Sequence, residues 1–181
     1  YNALNLTTQI SKSVDVMSSA LESLTKTIRN ITVHQVQIDY SENIKNMKFD
    51  IIIGNPPYQL KTTSNSSQSI PIYQKFVEQA MSLEPKYICM IIPSRWFAGG
   101  MGLDSFRETM LKNRHIKLLV DWVNAKDCFP TLSIGGGVCY FLYDKDYEGV
   151  CEVTNIHNGE KSSLKRGLDE FGDVFVRHND A

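Results

Sequence analysis

The chain has 181 residues, 42% of them apolar, with 19 basic and 20 acidic side chains and a formal net charge of -1. That length supports one sizeable core and leaves no room for a second full domain. The near-zero charge excludes a protein that holds polyanions through its overall field. A basic surface for nucleic acid can sit on a separate segment, so near-neutrality counts against a free-standing DNA binder more than against a catalytic core.

Cys89, Cys128, Cys139 and Cys151 form neither a CxxC pair nor a regular framework, which points to a reduced, cytoplasmic setting. No apolar run approaches the roughly 20 residues needed to cross a bilayer, and the polar start Tyr1-Asn2-Ala3 is neither a signal nor a transit peptide. A soluble protein without a membrane partner is expected. An opening residue other than Met, and a last stretch from Phe175 to Ala181 without a closing element, suggest a piece of a longer protein.

In chain order, Leu6, Ile10, Val14, Met17, Leu21, Leu24 and Ile28 recur at steps of three and four, which predicts an amphipathic helix ended by Asn30. Residues 32–38 alternate with period two and Phe49 to Ile53 is a short apolar run, so both read as strands. A polar stretch from Lys61 to Ser69 leads to Pro71, placed to open a helix through Tyr73, Phe76, Val77, Ala80 and Met81. Tyr87 to Ile92 reads as a buried strand. Asp104 is expected to cap a helix through Phe106, Met110 and Leu111, followed by a strand from Ile116 to Val123. Val138 to Tyr143 and Val150 to Ile156 read as strands joined by a short turn at Asp146 to Gly149, hence as an antiparallel pair. Alternation followed by a hairpin predicts an α/β fold: a mainly parallel sheet with an antiparallel edge hairpin.

Asn55-Pro56-Pro57-Tyr58 follows the strand ending at Gly54, at the carboxyl edge where open α/β sheets collect ligands. Pro56 and Pro57 fix two φ angles and Asn55, before a proline, is pushed to extended backbone, so the turn is stiff. Gly54 is expected to let the backbone approach closely there. The Asn55 side-chain carbonyl and the Pro56 main-chain carbonyl are both acceptors and suit an amino group with two hydrogens to donate, such as an exocyclic base amine. Acceptors on both hydrogens favour a more pyramidal nitrogen and expose its lone pair to a methyl electrophile. Tyr58 offers a flat face for a flipped base, worth ~1–3 kcal/mol by analogy with single-strand stacking. The plainer reading is an ordinary Asn/Pro turn.

With these residues in view, the chain resembles the amino-methyltransferases, specifically the adenine-specific DNA methylases of type II restriction-modification systems. The resemblance covers most of the chain after about Val33. It rests on a series: Asp39 after one strand, Asn55 to Tyr58 after the next, then Pro93-Ser94-Arg95-Trp96, then Phe129-Pro130 leading to Gly135-Gly136-Gly137. It implies a Rossmann-like methyltransferase fold, truncated at its amino-terminal side because nothing before Asp39 resembles the family's glycine-rich cofactor loop. It also implies S-adenosylmethionine as cofactor and N6 of an adenine, flipped from double-stranded DNA, as methyl acceptor, with a restriction endonuclease or specificity region as further partner. Residues 1–158 then form a partial catalytic domain, and 159–181 its end or the start of a DNA-recognition region.

The resemblance implies that Asp39 accepts from the cofactor's adenine amine and that Phe129 stacks on the target base opposite Tyr58. Asp39 reads equally as a turn cap, and Phe129 as a buried anchor for its loop. Arg95 could reach a phosphate and Trp96 line the pocket; the alternative is a structural Arg with its stem packed on Trp96. The Lys61 to Ser69 stretch reads as a loop over the DNA groove or as a plain surface loop. Gly135 to Gly137 opens a strand and reads as a bend or bulge. The four histidines have no metal-ligand spacing, and transfer from a sulfonium needs no metal. Asn-Pro-Pro-Tyr also serves enzymes that methylate a release-factor glutamine or a ribosomal RNA amine, and a non-catalytic fragment of the fold is the remaining alternative.

Overall fold

The computed structural model describes residues 48–60, 69–131 and 134–179. The expected helix over 6–28, the strand over 32–38, Asp39 and nearly all of the 61–69 stretch lie outside the described residues. The elements in order are β1 (Ile51–Gly54), β2 (Gln59–Leu60), β3 (Ile70–Pro71), α1 (Tyr73–Ser82), β4 (Tyr87–Pro93), a 3-10 turn (Ser94–Phe97), α2 (Asp104–Lys112), β5 (Ile116–Trp122), α3 (Ala125–Cys128), β6 (Val138–Asp144), β7 (Cys151–His157) and β8 (Glu160–Arg166).

Six strands form one sheet in the order β1-β4-β6-β5-β7-β8. β1 lies parallel to β4 and β5 parallel to β7, while β6 runs antiparallel to both β4 and β5 and β8 antiparallel to β7. Four strands therefore share one direction, and only β6 and β8 oppose it. The fold is α/β with a mainly parallel sheet and an antiparallel edge, as expected, but the edge hairpin has different members.

β6 and β7 are not neighbours: β5 lies between them. The reason is burial. All but one residue of β6 are buried, with Val138, Tyr140 and Leu142 in one core cluster and Cys139 and Phe141 in the other. A strand apolar on both faces belongs inside a sheet, covered on both sides. The edge hairpin is β7–β8, closed by Asn158 and Gly159, both at positive φ (52° and 83°), with His157 opposite Glu160. An Asn-Gly pair is the turn that matches strand twist, and β8 is polar and mostly exposed, as an edge strand is. The boundary expected at residue 158 falls inside this turn.

The core lies on both faces of the sheet. On one face Ile88, Met90 and Ile92 of β4 and Phe141 of β6 pack against Tyr73, Val77 and Ala80 of α1, Phe106 and Met110 of α2, Trp96, and Phe175 from the segment after β8. On the other, Tyr87, Cys89 and Ile91 of β4 and Tyr140 of β6 pack against Ala125 and Cys128 of α3 and Phe129. β5 changes phase at a register shift between Ile116 and Leu118, which puts Ile116 and Leu119 on the first face and Leu118, Val120 and Trp122 on the second.

Two helix starts differ from expectation. Pro71 ends β3 and α1 opens at Tyr73, because Pro71 is held in a small ladder opposite Gln59; Gln74 Nε2 donates to the Pro71 carbonyl (3.1 Å). Asp104 is the first helical residue of α2, with Leu103 at the cap position, and its carboxylate accepts from the Gly100 amide at 3.1 Å. An acidic side chain in the first turn still suits the helix dipole.

Burial lifts the thiols of Cys89, Cys139 and Cys151, each to about 12. An acid whose pKa is raised by folding contributes stability that is complete below its unfolded value, about 8.5 for a thiol, and lost as pH rises toward the folded value. The urea midpoint of the protein should therefore fall between about pH 8 and about pH 10. A midpoint flat over that window would contradict the burial of these thiols.

Candidate active site

β1, β4 and β5 end at the same edge of the sheet, where β6 begins: Pro93 and Trp122 both stand opposite Val138, and Gly54 stands opposite Met90. Asn55–Tyr58, Ser94–Phe97, Val123–Phe129 and Gly135–Gly137 all emerge there. This is the carboxyl edge at which an open α/β sheet holds its ligands.

The Asn55 to Tyr58 turn leaves β1 with Asn55 exposed, Pro56 buried, Pro57 exposed and Tyr58 half-buried. Pro56 thus anchors a stiff turn that presents Asn55 outward. The far end is tied down as well, since the Tyr58 carbonyl accepts from the Ile72 amide (3.2 Å) and the β2–β3 ladder pairs Gln59 with Pro71 and Leu60 with Ile70. The turn is held between β1 and the start of α1. At Gly54 an added Cβ would lie 3.7 Å from Met90 Cε, an ordinary contact. The described protein neighbours therefore do not by themselves demand glycine there.

Tyr58 packs against the second-face cluster that contains Phe129 and Cys128. Its hydroxyl points inward and meets no hydrogen-bond partner among the described residues. Burial, with smaller contributions from Cys128 and Cys139, pushes the phenol well above its ordinary pKa, so it stays neutral. Phe129 is only 2% exposed, and its amide donates to the Ala125 carbonyl at 2.7 Å. The structure brings Tyr58 and Phe129 into one cluster, with Phe129 as a buried member.

Arg95 and Trp96 part company. The 3-10 turn exposes Arg95, while Trp96 is 0% exposed on the other face of the sheet, with Phe97, Phe106 and Phe175 around it. The Trp96 indole N–H faces the Cys139 sulfur and meets no nitrogen or oxygen acceptor among the described residues. Trp96 is a core anchor and lines no pocket with Tyr58. Arg95 sits beside the Gly135–Gly137 turn, its Cα 3.9 Å from where a Cβ on Gly136 would be. Gly136 and Gly137 take positive φ (90° and 82°), so the run is the bend expected.

Sequence reasoning missed a buried polar cluster at this edge. Asp121 of β5 is 0% exposed and accepts from Ser94 Oγ (2.6 Å), from Arg177 Nε (2.5 Å) and Nη2 (2.7 Å), and from Asn155 Nδ2 (3.5 Å). The signal was one acidic residue in an apolar strand run, since a buried charge must be paired. No group of three or more His, Cys, Asp or Glu among the described residues is placed to hold a metal, and no described helix is long and apolar enough to cross a membrane.

The model of the Eco57I restriction-modification methylase family matches residues 3–129, well over half of the chain. The chain belongs to that family. It is 43% identical over 113 residues to an uncharacterized adenine-specific methylase of Mycoplasma pneumoniae (strain ATCC 29342 / M129 / Subtype 1). That match takes in 61% of this chain and 27% of the relative, so the chain spans about a quarter of the relative's length. Among solved structures, it is similar to a type I restriction-modification methyltransferase subunit from Streptococcus thermophilus (TM-score 0.44, 11% identity, 78% of this chain and 30% of that one). It is likewise similar to the M protein of the type I restriction enzyme EcoKI (TM-score 0.42, 12% identity, 64% and 27%).

A buried hydroxyl without a partner costs about 1–3 kcal/mol. In this Eco57I family chain, Tyr58→Phe should therefore leave stability unchanged or raise it by up to about 1 kcal/mol in chemical denaturation. A loss of more than about 1 kcal/mol would show that the hydroxyl is bonded.

Proposed function

We propose that this chain forms the base-handling part of an enzyme that transfers a methyl group from S-adenosylmethionine to N6 of an adenine flipped out of double-stranded DNA, as the modification step of a restriction-modification system. The observation that carries the reading is the exposed Asn55 on a turn clamped by buried Pro56, at the carboxyl edge of the sheet. Family membership and the 43% identity to an adenine-specific methylase support adenine as the acceptor over a glutamine amide or a ribosomal RNA amine.

The Asn55 side-chain carbonyl and the Pro56 carbonyl accept the two hydrogens of the adenine amine, draw the nitrogen toward pyramidal geometry and aim its lone pair at the incoming methyl group. Pro56 and Pro57 fix two φ angles of the turn, so on this reading acceleration comes from positioning and from fixed electrostatics at the amine. S-adenosylmethionine, when bound, supplies the methyl on a sulfonium; Asp39 is the residue proposed to hold its adenine amine, and no described residue is assigned to it. The Asn55 side-chain carbonyl and the Pro56 main-chain carbonyl are both acceptors, which matches an amine nucleophile. Tyr58 gives the base a neutral aromatic face. Phe129 supports that platform from within the cluster; stacking by Phe129 on the opposite side of the base would require its ring to leave the cluster. Exposed Arg95 reaches for a DNA phosphate at the rim. A restriction endonuclease or specificity region joins the full-length protein as partner.

Removing one preorganised hydrogen-bonding group at a reacting centre costs about 10²–10³ in kcat. In the full-length protein, Asn55→Ala should lower the methylation rate by about that factor and leave DNA affinity within about threefold. Equal losses of rate and affinity would contradict the role given to Asn55.

A further inference from the structure

The cluster around Asp121 joins four parts of the chain. Ser94 opens the turn that carries Arg95, Asp121 stands in β5, Asn155 in β7, and Arg177 arrives from the segment after β8. Ser94 acts twice: its hydroxyl donates to Asp121, and its amide donates to the Gly137 carbonyl (3.1 Å) at the end of the loop that begins at Phe129-Pro130. Gly137 has no space for a Cβ, because the Trp122 and Val123 carbonyls and the Arg177 guanidinium, 2.5 Å from where that atom would be, close around it. Arg177 also donates to the Trp122 carbonyl at 3.3 Å, and its guanidinium lies 5.6 Å from the centre of the Phe97 ring. The turn after β4, the end of β5 and the turn before β6 thus meet on one guanidinium-carboxylate pair.

A buried ion pair adds little net stability compared with apolar side chains of similar size, because desolvation offsets the attraction. A bidentate Arg–carboxylate pair does fix geometry: two parallel N–H donors on two oxygens allow one orientation. We propose that Asp121 and Arg177 are positioning residues for the base-handling site, holding the Arg95 turn and the Gly135–Gly137 turn in register with the Asn55–Tyr58 turn. The proposal rests on the function given above. It makes the segment after β8 part of the frame of the site, since Arg177 comes from there and Phe175, two residues earlier, packs in the core against Trp96 and Phe97.

The test uses the full-length protein and duplex DNA carrying 2-aminopurine at the target position. It compares the double variant Asp121→Asn/Arg177→Met, which removes both charges together, with Arg177→Lys, which keeps the charge but not the paired geometry. For the double variant we expect a thermal midpoint and a KM for S-adenosylmethionine close to those of the parent, a kcat lowered at least about tenfold, and a weaker 2-aminopurine signal of base flipping. Arg177→Lys should lie between the two. Unchanged kcat and flipping in the double variant would overturn the proposal. So would a kcat loss matched by an equal loss of folded protein in both variants, which would reduce the pair to a stabilising role. A parent protein that methylates no adenine in DNA would instead overturn the function on which the proposal rests.

Discussion

The placement of β6 is the constraint on which the rest of the structure depends. A seven-residue strand with all but one side chain buried needs a neighbour on each edge and cover on each face. It finds them between β4 and β5, running against both. Because β6 is antiparallel, it starts where those two strands end. The turn before it, Gly135 to Gly137, is therefore carried to the carboxyl edge alongside the Asn55–Tyr58 turn, the Ser94–Phe97 turn and α3. With β6 at the sheet edge beside β7, as a simple hairpin reading has it, the loop from Phe129 would not be tied to the turn after β4.

The two faces of the sheet divide the labour at that edge. On one, Tyr58 and Phe129 join the apolar cluster of β4, β6 and α3. On the other, Trp96, Phe97, Phe106 and Phe175 form an aromatic block, with the Asp121–Arg177 pair at its rim. Truncating a side chain such as Trp96 costs about 3–5 kcal/mol, and removing one partner of a buried pair costs a similar amount. Each is a large part of a domain's total stability of about 5–15 kcal/mol. The frame is costly to disturb, while Asn55, proposed to meet the base amine, and Arg95, proposed to meet a DNA phosphate, stand exposed on it.

Much of this was legible in the sequence because it is local. β1, β4, β5 and β6 are short apolar runs between turn residues, and α1 and α2 carry apolar positions at helical spacing, so their places along the chain could be read within a residue or two. The stiffness of Asn55 to Tyr58 follows from two prolines and needed no structure. What escaped is non-local. Which strand pairs with β6 depends on burial of both its faces, and the true edge hairpin was signalled by Asn158-Gly159, a stronger turn pair than the Asp146 to Gly149 stretch. The sequence leaves Trp96 between a pocket and the core, because neighbouring residues of a 3-10 turn point in different directions and only the fold buries Trp96 while exposing Arg95. Arg177 could not be matched to Asp121 from sequence, because 56 positions separate them and only the fold of the segment after β8 brings them together.

The most direct test of the account is to incubate the full-length protein with duplex DNA and S-adenosylmethionine labelled in its methyl group, then digest the DNA and separate its nucleosides. The account predicts label in N6-methyladenosine of the deoxy series and in no other nucleoside. Label confined to cytosine, to RNA or to protein, with none in adenine, would contradict it.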